Sequence, residues 1–172
     1  MGGAKAMRTL AGRPLAAYPA AALAAACDRV VVVAKRSTEL PQLPGVERWD
    51  EPDEPQHPLT GIVAALERAA EPVLVCAADM PFVTAAACEE LIEAAAAAAA
   101  AVAIADGVLQ PVFAVYAPPV LDRLRAAPRD APLTRTVESL GPERVEFPPD
   151  LVRSVDTPAD LAGAERLLRA QQ

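Results

Sequence analysis

Short apolar runs rich in valine alternate with longer alanine-rich stretches along the chain. Val30–Val33 and Val73–Ala77 are uninterrupted apolar runs, the pattern of strands that are covered on both faces. Alternation of such runs with helix-length segments is typical of βαβ units. The pattern therefore predicts an α/β fold with a largely parallel sheet in which both of these strands are central.

The remaining pattern predicts several helices and a hairpin. The predicted helices are Leu15–Ala26, Gly61–Ala69, Thr84–Ala100, Leu133–Leu140 and Pro158–Ala170. Thr84 and Thr157 are suitable helix caps, and Asp160 lies at the third helical position after Thr157, where Glu or Gln would complete a full capping box. The alanine tract Ala94–Ala101 is interpreted as the end of its helix. Asp106-Gly107 between two apolar runs predicts a hairpin, so the sheet should be mixed.

Two further strands are predicted at Val46–Trp49 and Arg144–Phe147. The proline-rich stretch Pro41–Pro58 is interpreted as one long loop, since proline interrupts regular structure. A loop of that length in a compact domain is often functional.

Composition narrows the class of protein. A chain of 172 residues suffices for one core, so a single domain over residues 1–172 is expected. The net charge of −7 argues against a nucleic-acid or anionic-membrane surface, which requires clustered lysine and arginine. Three cysteines without a CxxC pair and a single histidine predict reduced, mostly buried thiols and no zinc site. No apolar leader or membrane-length segment is visible, so a cytoplasmic location is expected.

Asp79 is the most informative polar residue. It follows the predicted strand Val73–Ala77, and ligands of open α/β sheets bind at the carboxyl ends of strands. Magnesium prefers oxygen ligands and takes one or two carboxylates, completing its shell with water and phosphates. Asp79 therefore fits a metal ligand, and the alternative is an Asp that caps the turn before the Thr84 helix.

Three further candidates have weaker support. Asp50 follows a predicted edge strand, although acids in such loops are usually solvated. Gly61 opens a predicted helix, whose free amides could bind an anion. Gly2 and Gly3 could let backbone amides approach phosphates that Lys5 neutralises, or the segment could be a tail.

Taken together, these segments resemble the molybdenum cofactor guanylyltransferase (MobA) family within the nucleotidyltransferase superfamily. The matching segments are, in chain order, MGGAK followed by AGRPL, HPLTGIVAAL, VLVCAADMPF, ADGVLQPVFAVY and VDTPADLAGAE. The combination of DMPF with LQPVFAVY is fairly specific for the family, whereas AGRPL and TPADL occur more widely among related transferases.

The resemblance implies a three-layer α/β/α, Rossmann-like fold and transfer of GMP from GTP to molybdopterin with Mg²⁺. It implies that Lys5 contacts the nucleotide phosphates with Gly2 and Gly3, that Asp79 binds the metal, and that Asp50 helps to hold the guanine nucleotide. The segment around Gln110 and Pro111 would face the pterin. Transient contact with molybdoenzyme maturation proteins is a further implication.

The chain also departs from the family pattern. The family begins with a strand and a loop of the form LAGGxSxRMGxxK, and this sequence opens at the Met-Gly of that motif. The resemblance thus implies a truncated first strand and phosphate loop, and unpaired strand edges predict lower stability. The family usually has asparagines at the positions of Lys35, Ser154 and Asp156. These differences bear on which base the chain would bind and on how it would recognise the pterin.

Three functions follow as hypotheses. The first is guanylyl transfer to molybdopterin. The second is nucleotidyl transfer with another base or acceptor, such as a cytidylyltransferase of the same cofactor. The third is a non-catalytic relative that keeps the fold without the phosphate loop.

Overall fold

The computed structural model describes residues 7–170, and its strands fall into three groups. A small antiparallel hairpin pairs β1 (Thr9–Leu10) with β2 (Arg13–Pro14). A parallel pair joins β3 (Val31–Lys35) to β4 (Glu47–Glu51). A four-stranded sheet has the order β5-β7-β6-β8, with strands β5 (Val73–Cys76), β6 (Ala100–Ala105), β7 (Val108–Tyr116) and β8 (Glu143–Glu146).

Both parallel and antiparallel pairs occur in the four-stranded sheet. Strand β7 is antiparallel to β5 and β6, and β8 is parallel to β6. The mixed sheet and the hairpin at Asp106-Gly107 are confirmed, with both turn residues at positive φ. Six α-helices are described: α1 (Ala17–Ala26), α2 (Pro58–Ala69), α3 (Ala85–Ala95), α4 (Leu121–Ala126), α5 (Leu133–Ser139) and α6 (Pro158–Ala170).

Helices cover both faces of the sheet. Successive side chains of a strand point to opposite faces, so alternate residues of β6 show which helices pack on each face. Ala101 and Ala103 of β6 pack in one core cluster with α1 and α3. Ala100 and Val102 of the same strand pack in a second cluster with α2, α4 and α5. The three-layer α/β/α architecture is therefore confirmed. Within residues 7–170, no helix combines the length and the apolar character that crossing a bilayer would require.

The prediction that the alanine tract is helical is wrong beyond Ala95. Helix α3 ends there, and Ala100–Ala105 forms β6. Alanine favours helix locally, but β6 is hydrogen-bonded to β7 on one side and β8 on the other, and every one of its residues is buried. Tertiary pairing overrides local propensity here.

Other boundaries also differ from the predictions. Helix α2 begins at Pro58 rather than Gly61, since the His57 side chain accepts a hydrogen bond from Leu59 N at 3.2 Å and proline suits the first helical turn. Part of the stretch taken as one long loop forms β4. Strands β3 and β5 are mostly half-buried, and each lies at an edge of its sheet. The predicted central position of both strands is therefore wrong within the described residues. The predicted caps at Thr84 and Thr157 are confirmed by hydrogen bonds.

The three cysteines are free thiols, of which Cys88 is fully buried and Cys27 and Cys76 are half-buried. Burial raises the pKa of the Cys88 thiol to about 12. At neutral pH this thiol is almost entirely protonated and therefore a poor nucleophile.

Candidate functional site

Asp79 lies on a tight turn that leaves the carboxyl end of β5. Ala77 N donates to Val112 O of β7 at 2.8 Å, and Met80 N closes the turn on Ala77 O at 3.3 Å. Met80 is buried and anchors the turn in the core. The Asp79 carbonyl accepts a hydrogen bond from Val155 N at 2.9 Å, so the backbone of this half-buried aspartate is held by a second segment.

The N-cap of the following helix is occupied by another residue. Thr84 Oγ1 accepts the hydrogen bond from Ala87 N at 3.2 Å at the start of α3. Asp79 is therefore not the N-cap of that helix, and the alternative in which it caps the turn before the helix stays a prediction. The position at a strand end that the sequence predicted for Asp79 is observed, while its role as a metal ligand stays a prediction.

Gln110 and Pro111 lie beside this turn, in an irregular part of β7. Ala103 of β6 pairs with Gln110, but the preceding Val102 pairs with Ala114, so three residues of β7 bulge out of the ladder. Because Ala77 pairs with Val112 through its N–H, the antiparallel register brings the start of this bulge to the same end of the sheet as Asp79. The fold thus brings Asp79 and Gln110 to one end of the sheet, and the contact of Gln110 and Pro111 with the pterin stays a prediction.

A buried tyrosine supports the bulge. Tyr116 is fully buried, and its hydroxyl donates to Pro111 O at 2.7 Å. The bulge removes that carbonyl from the strand ladder, and the tyrosine supplies the missing partner.

We expect Tyr116→Phe to lower the free energy of unfolding by about 1–3 kcal/mol, because it leaves a buried carbonyl without a donor. Urea denaturation measures this loss. Tyr18→Phe is the matched control, since Tyr18 OH also donates to a carbonyl, Leu10 O, but in a part-buried setting. A loss for Tyr116→Phe no larger than for the control would contradict a supporting role of this bond.

A second group of polar residues surrounds the ends of β3 and β4. Lys35 Nζ donates to Pro52 O at 2.9 Å and also to Asp53 O, fixing the loop that follows β4. The Glu51 carboxylate lies near the first turn of α2, and partial burial raises its pKa while Lys35 opposes that shift. Lys35, at the end of β3, therefore fixes the position of Pro52 and Asp53 in the loop that follows β4.

Gly61 lies within the first turn of α2 rather than at its opening. A Cβ at this position would lie 2.9 Å from Glu51 Oε2 and 3.8 Å from Val33 Cγ1. The close approach permitted by the glycine is thus to a carboxylate of the protein. The expectation that Gly61 opens the helix is wrong, and its contact with a nucleotide stays a prediction.

The contact between Gly61 and Glu51 can be measured by a double-mutant cycle. In a Glu51→Ala background, Gly61→Ala should stabilise the chain by about 1 kcal/mol, the difference in helix propensity. With Glu51 present, the new methyl group displaces the carboxylate, and we expect most of that gain to be lost, a coupling of about 0.5–1 kcal/mol. Equal gains in both backgrounds, measured by urea denaturation, would rule out the close approach.

Asp50 lies inside β4, not after it, and this corrects its predicted position. Its carboxylate pairs with Arg48 at 2.9 Å and Arg36 at 3.5 Å. The hydrogen bond from Arg48 is the largest of the effects that lower the pKa of Asp50. Side chains alternate along a strand, so Asp50 lies on the face opposite Trp49 and Glu51. Its role in nucleotide binding stays a prediction.

The sequence analysis did not identify Glu51 as a residue of this site. The alternation of side chains in ERWDE could have indicated that Glu51 points inward, because it lies on the same face of the strand as the buried Trp49.

The segment before α6 also belongs to this edge of the sheet. Val155 is fully buried and bonds Asp79, while the carbonyl of Asp156 accepts from Arg8 Nη1 at 2.7 Å. The backbone of Asp156 therefore lies one residue from the Asp79 contact. The sequence alone did not predict these contacts of Val155 and Asp156, because no local pattern indicates an interaction with residues so far away in the chain.

The described residues contain no cluster of three or more His, Cys, Asp or Glu side chains suited to hold a metal ion. A magnesium ion bound through one or two carboxylates, with water and phosphates as its other ligands, needs no such cluster. Asp79 at its strand end fits that mode of binding. Gly2, Gly3 and Lys5, the predicted phosphate contacts, lie outside the described residues.

Solved structures share this fold. The molybdopterin-guanine dinucleotide biosynthesis protein A of Archaeoglobus fulgidus is similar with a TM-score of 0.75 and 24% identity, over 96% of this chain and 91% of that one. The 2-C-methyl-D-erythritol 4-phosphate cytidylyltransferase of Thermus thermophilus has a TM-score of 0.76 and 22% identity, with coverage of 96% and 93%.

A Mycobacterium tuberculosis protein in complex with manganese has a TM-score of 0.72 and 15% identity, with coverage of 94% and 91%. At these identities the likenesses establish the fold. No curated protein matches the sequence.

The sequence itself matches a family profile. The profile of the MobA-like NTP transferase domain covers residues 1–145, which include β1 to β7 and the Asp79 turn. The chain therefore belongs to the MobA-like NTP transferase family and is a nucleotidyltransferase.

Proposed function

We propose that the chain transfers GMP from GTP to molybdopterin and releases pyrophosphate. The observation that carries the proposal is the position of Asp79, which is held at the carboxyl end of β5 beside the Gln110–Pro111 bulge and the segment that contains Val155. A ligand at this edge would contact three separate parts of the chain at once. The similarity to the Archaeoglobus fulgidus protein supports the choice of base and acceptor.

The chemistry requires positioning rather than a protein nucleophile. An oxygen of the acceptor phosphate attacks the α-phosphorus of GTP in line, forming a new P–O bond as the bond to pyrophosphate breaks. Asp79 would hold Mg²⁺, which when bound neutralises charge on the triphosphate. Lys5, Gly2 and Gly3 would bind the phosphates, and Gln110 and Pro111 would face the acceptor. Contact with molybdoenzyme maturation proteins stays a prediction.

A cytidylyltransferase activity is the second candidate. Its support is the similarity to the Thermus thermophilus cytidylyltransferase, together with Lys35, Ser154 and Asp156 at positions where the MobA pattern has asparagines.

A thermal-shift panel with GTP, CTP, ATP and UTP, each with Mg²⁺, separates the two candidates. The proposal predicts the largest rise in melting temperature for GTP, since binding to the native state alone stabilises it by mass action. The same panel with EDTA in place of Mg²⁺ is the control. A preference for CTP would replace guanylyl transfer with cytidylyl transfer, and no shift with any nucleotide would support the non-catalytic alternative.

A further inference from the structure

The loop that leaves the carboxyl end of β3 is bound by the side chain of Arg48, on the neighbouring strand β4. The guanidinium donates to three carbonyl oxygens of this loop: Lys35 O at 2.6 Å, Arg36 O at 2.9 Å and Thr38 O at 3.0 Å. Thr38 N donates in turn to Lys35 O at 2.9 Å, which closes the loop into a tight turn. We call residues 35–38 the β3 turn.

Asp50 orients the guanidinium from the other side. Its carboxylate accepts a hydrogen bond from Arg48 Nε at 2.9 Å, whereas the carbonyls of the β3 turn accept from the two terminal nitrogens. All three nitrogens of the guanidinium are therefore engaged, in the fixed fork that arginine offers and lysine does not. An ion pair at the surface has little energetic weight by itself, so the main effect of Asp50 is to orient Arg48.

Apolar packing contributes little to the position of the β3 turn. A cavity of about 590 Å³ is lined by residues 36–41 on the loop side and by Val32 and Val46 on the strand side. Arg48 also lines this cavity, and it connects the strand to the turn. Open space provides no dispersion contacts, so we expect the turn to depend on the hydrogen bonds from Arg48.

The β3 turn lies at the end of the fold where a ligand is expected. Strands β3 and β4 are parallel, and an ion pair between Arg29 and Glu71 at 3.1 Å joins the segments that precede β3 and β5. The three strands therefore begin at one end of the fold, and the β3 turn and the Asp79 turn leave them at the opposite end. Ligands of open α/β sheets bind outside the carboxyl ends of the strands.

We propose that Arg48 is a positioning residue for nucleotide binding, which holds the β3 turn in the conformation that the nucleotide requires while Asp50 orients its guanidinium. Neither side chain contacts the nucleotide. The inference rests on the proposed function, because a nucleotide is its ligand. It also gives Asp50 a different role from the predicted one, since Asp50 acts through Arg48 rather than on the nucleotide itself.

Arg48→Met should weaken binding of GTP with Mg²⁺ by about tenfold or more. Such a loss corresponds to a β3 turn that adopts the binding conformation in about a tenth of the molecules, because the apparent affinity falls with the competent fraction. Isothermal titration of the full chain measures the Kd. The KM for GTP in pyrophosphate release should rise in parallel while kcat changes less than about twofold, whereas a general loss of structure would lower kcat.

Arg48→Lys tests whether the fork of the guanidinium is required. It keeps the positive charge next to Asp50, but an ammonium group is a compact donor that cannot bond all of these acceptors at once. The Kd should therefore rise nearly as much as in Arg48→Met. Recovery of the wild-type Kd by lysine would show that charge alone matters and would overturn the proposal.

A double-mutant cycle separates the two roles of Asp50. Asp50→Asn should raise the Kd by only about threefold, because the amide oxygen can still accept from Arg48 Nε. In the Arg48→Met background the same substitution should have no further effect. An equal rise in both backgrounds would mean that Asp50 contacts the nucleotide directly, contrary to the proposal.

Arg68→Met is the matched control. Arg68 is also a partly exposed arginine bonded to an acid of β4, but its partner is Glu47 at the beginning of the strand, at 3.1 Å. Its substitution should leave the Kd within about twofold of the wild-type value. A tenfold loss in this control, or a wild-type Kd in Arg48→Met, would overturn the inference.

The wild-type chain distinguishes failure of this inference from failure of the proposed function. A preference for CTP would overturn guanylyl transfer alone, and the same variants would then be compared with CTP. Binding of no nucleotide by the wild-type chain would overturn both.

Discussion

Asp79→Asn should lower the rate of pyrophosphate release by about 100-fold or more and remove the effect of Mg²⁺ on nucleotide binding. The substitution keeps the shape of the side chain and removes the negative charge that a hard cation requires. The backbone bonds that fix the turn, from Val155 N and to Ala77 O, do not depend on the carboxylate. Folding should therefore be retained while metal-dependent binding is lost. Pyrophosphate release with GTP, and thermal shift with and without Mg²⁺, measure the two effects.

Asp122→Asn is the matched control for this prediction. Asp122 lies on α4, which follows β7 in the chain. The last residue of β7, Tyr116, pairs with Val73 at the beginning of β5, whereas the Asp79 turn leaves the other end of that strand. Its side chain is 93% exposed and pairs with Arg125 at the surface, an interaction of little energetic weight. The control should retain the rate and the Mg²⁺ effect. An Asp79→Asn variant that retains both as well would show that Asp79 is not the metal ligand.

Phe113→Ala should lower the free energy of unfolding by about 3–5 kcal/mol. Phe113 is fully buried in the part of β7 that bulges, and its ring centroid lies 5.7 Å from that of Phe147. Aromatic residues make up only 3% of the chain, so most neighbours in this core are alanine, valine and leucine. Such small side chains cannot move far enough to fill the volume of a lost ring. Urea denaturation followed by circular dichroism measures the change.

Val108→Ala on the same strand is the control. Val108 is 56% exposed, and its substitution should change the free energy of unfolding by less than about 0.5 kcal/mol. The loss expected for Phe113→Ala is a large part of the total stability of about 5–15 kcal/mol of a typical domain. A loss below about 1.5 kcal/mol would mean that the core around the bulge closes over the cavity far more easily than such cores do.

Local sequence determined the parts of the fold with strong short-range preferences. The Asp106-Gly107 turn, the caps at Thr84 and Thr157, and the valine-rich strands were all predicted, because their residues restrict the backbone or satisfy free amides locally. The position of Asp79 at a strand end followed from the apolar run before it.

Only the tertiary structure decided where the alanine tract becomes a strand. It also decided that Glu51 rather than Asp50 faces Gly61, and that the segment containing Val155 holds the Asp79 turn. These features depend on hydrogen bonds and close contacts between segments that are distant in sequence. The helix propensity of alanine is weaker than the stabilisation that the segment gains by pairing with two neighbouring strands. The face of the sheet on which a strand residue lies depends on the segments that pack against the strand. Local sequence therefore determined the elements with strong short-range preferences and the candidate aspartate, and the packing of the elements determined which residues surround that aspartate.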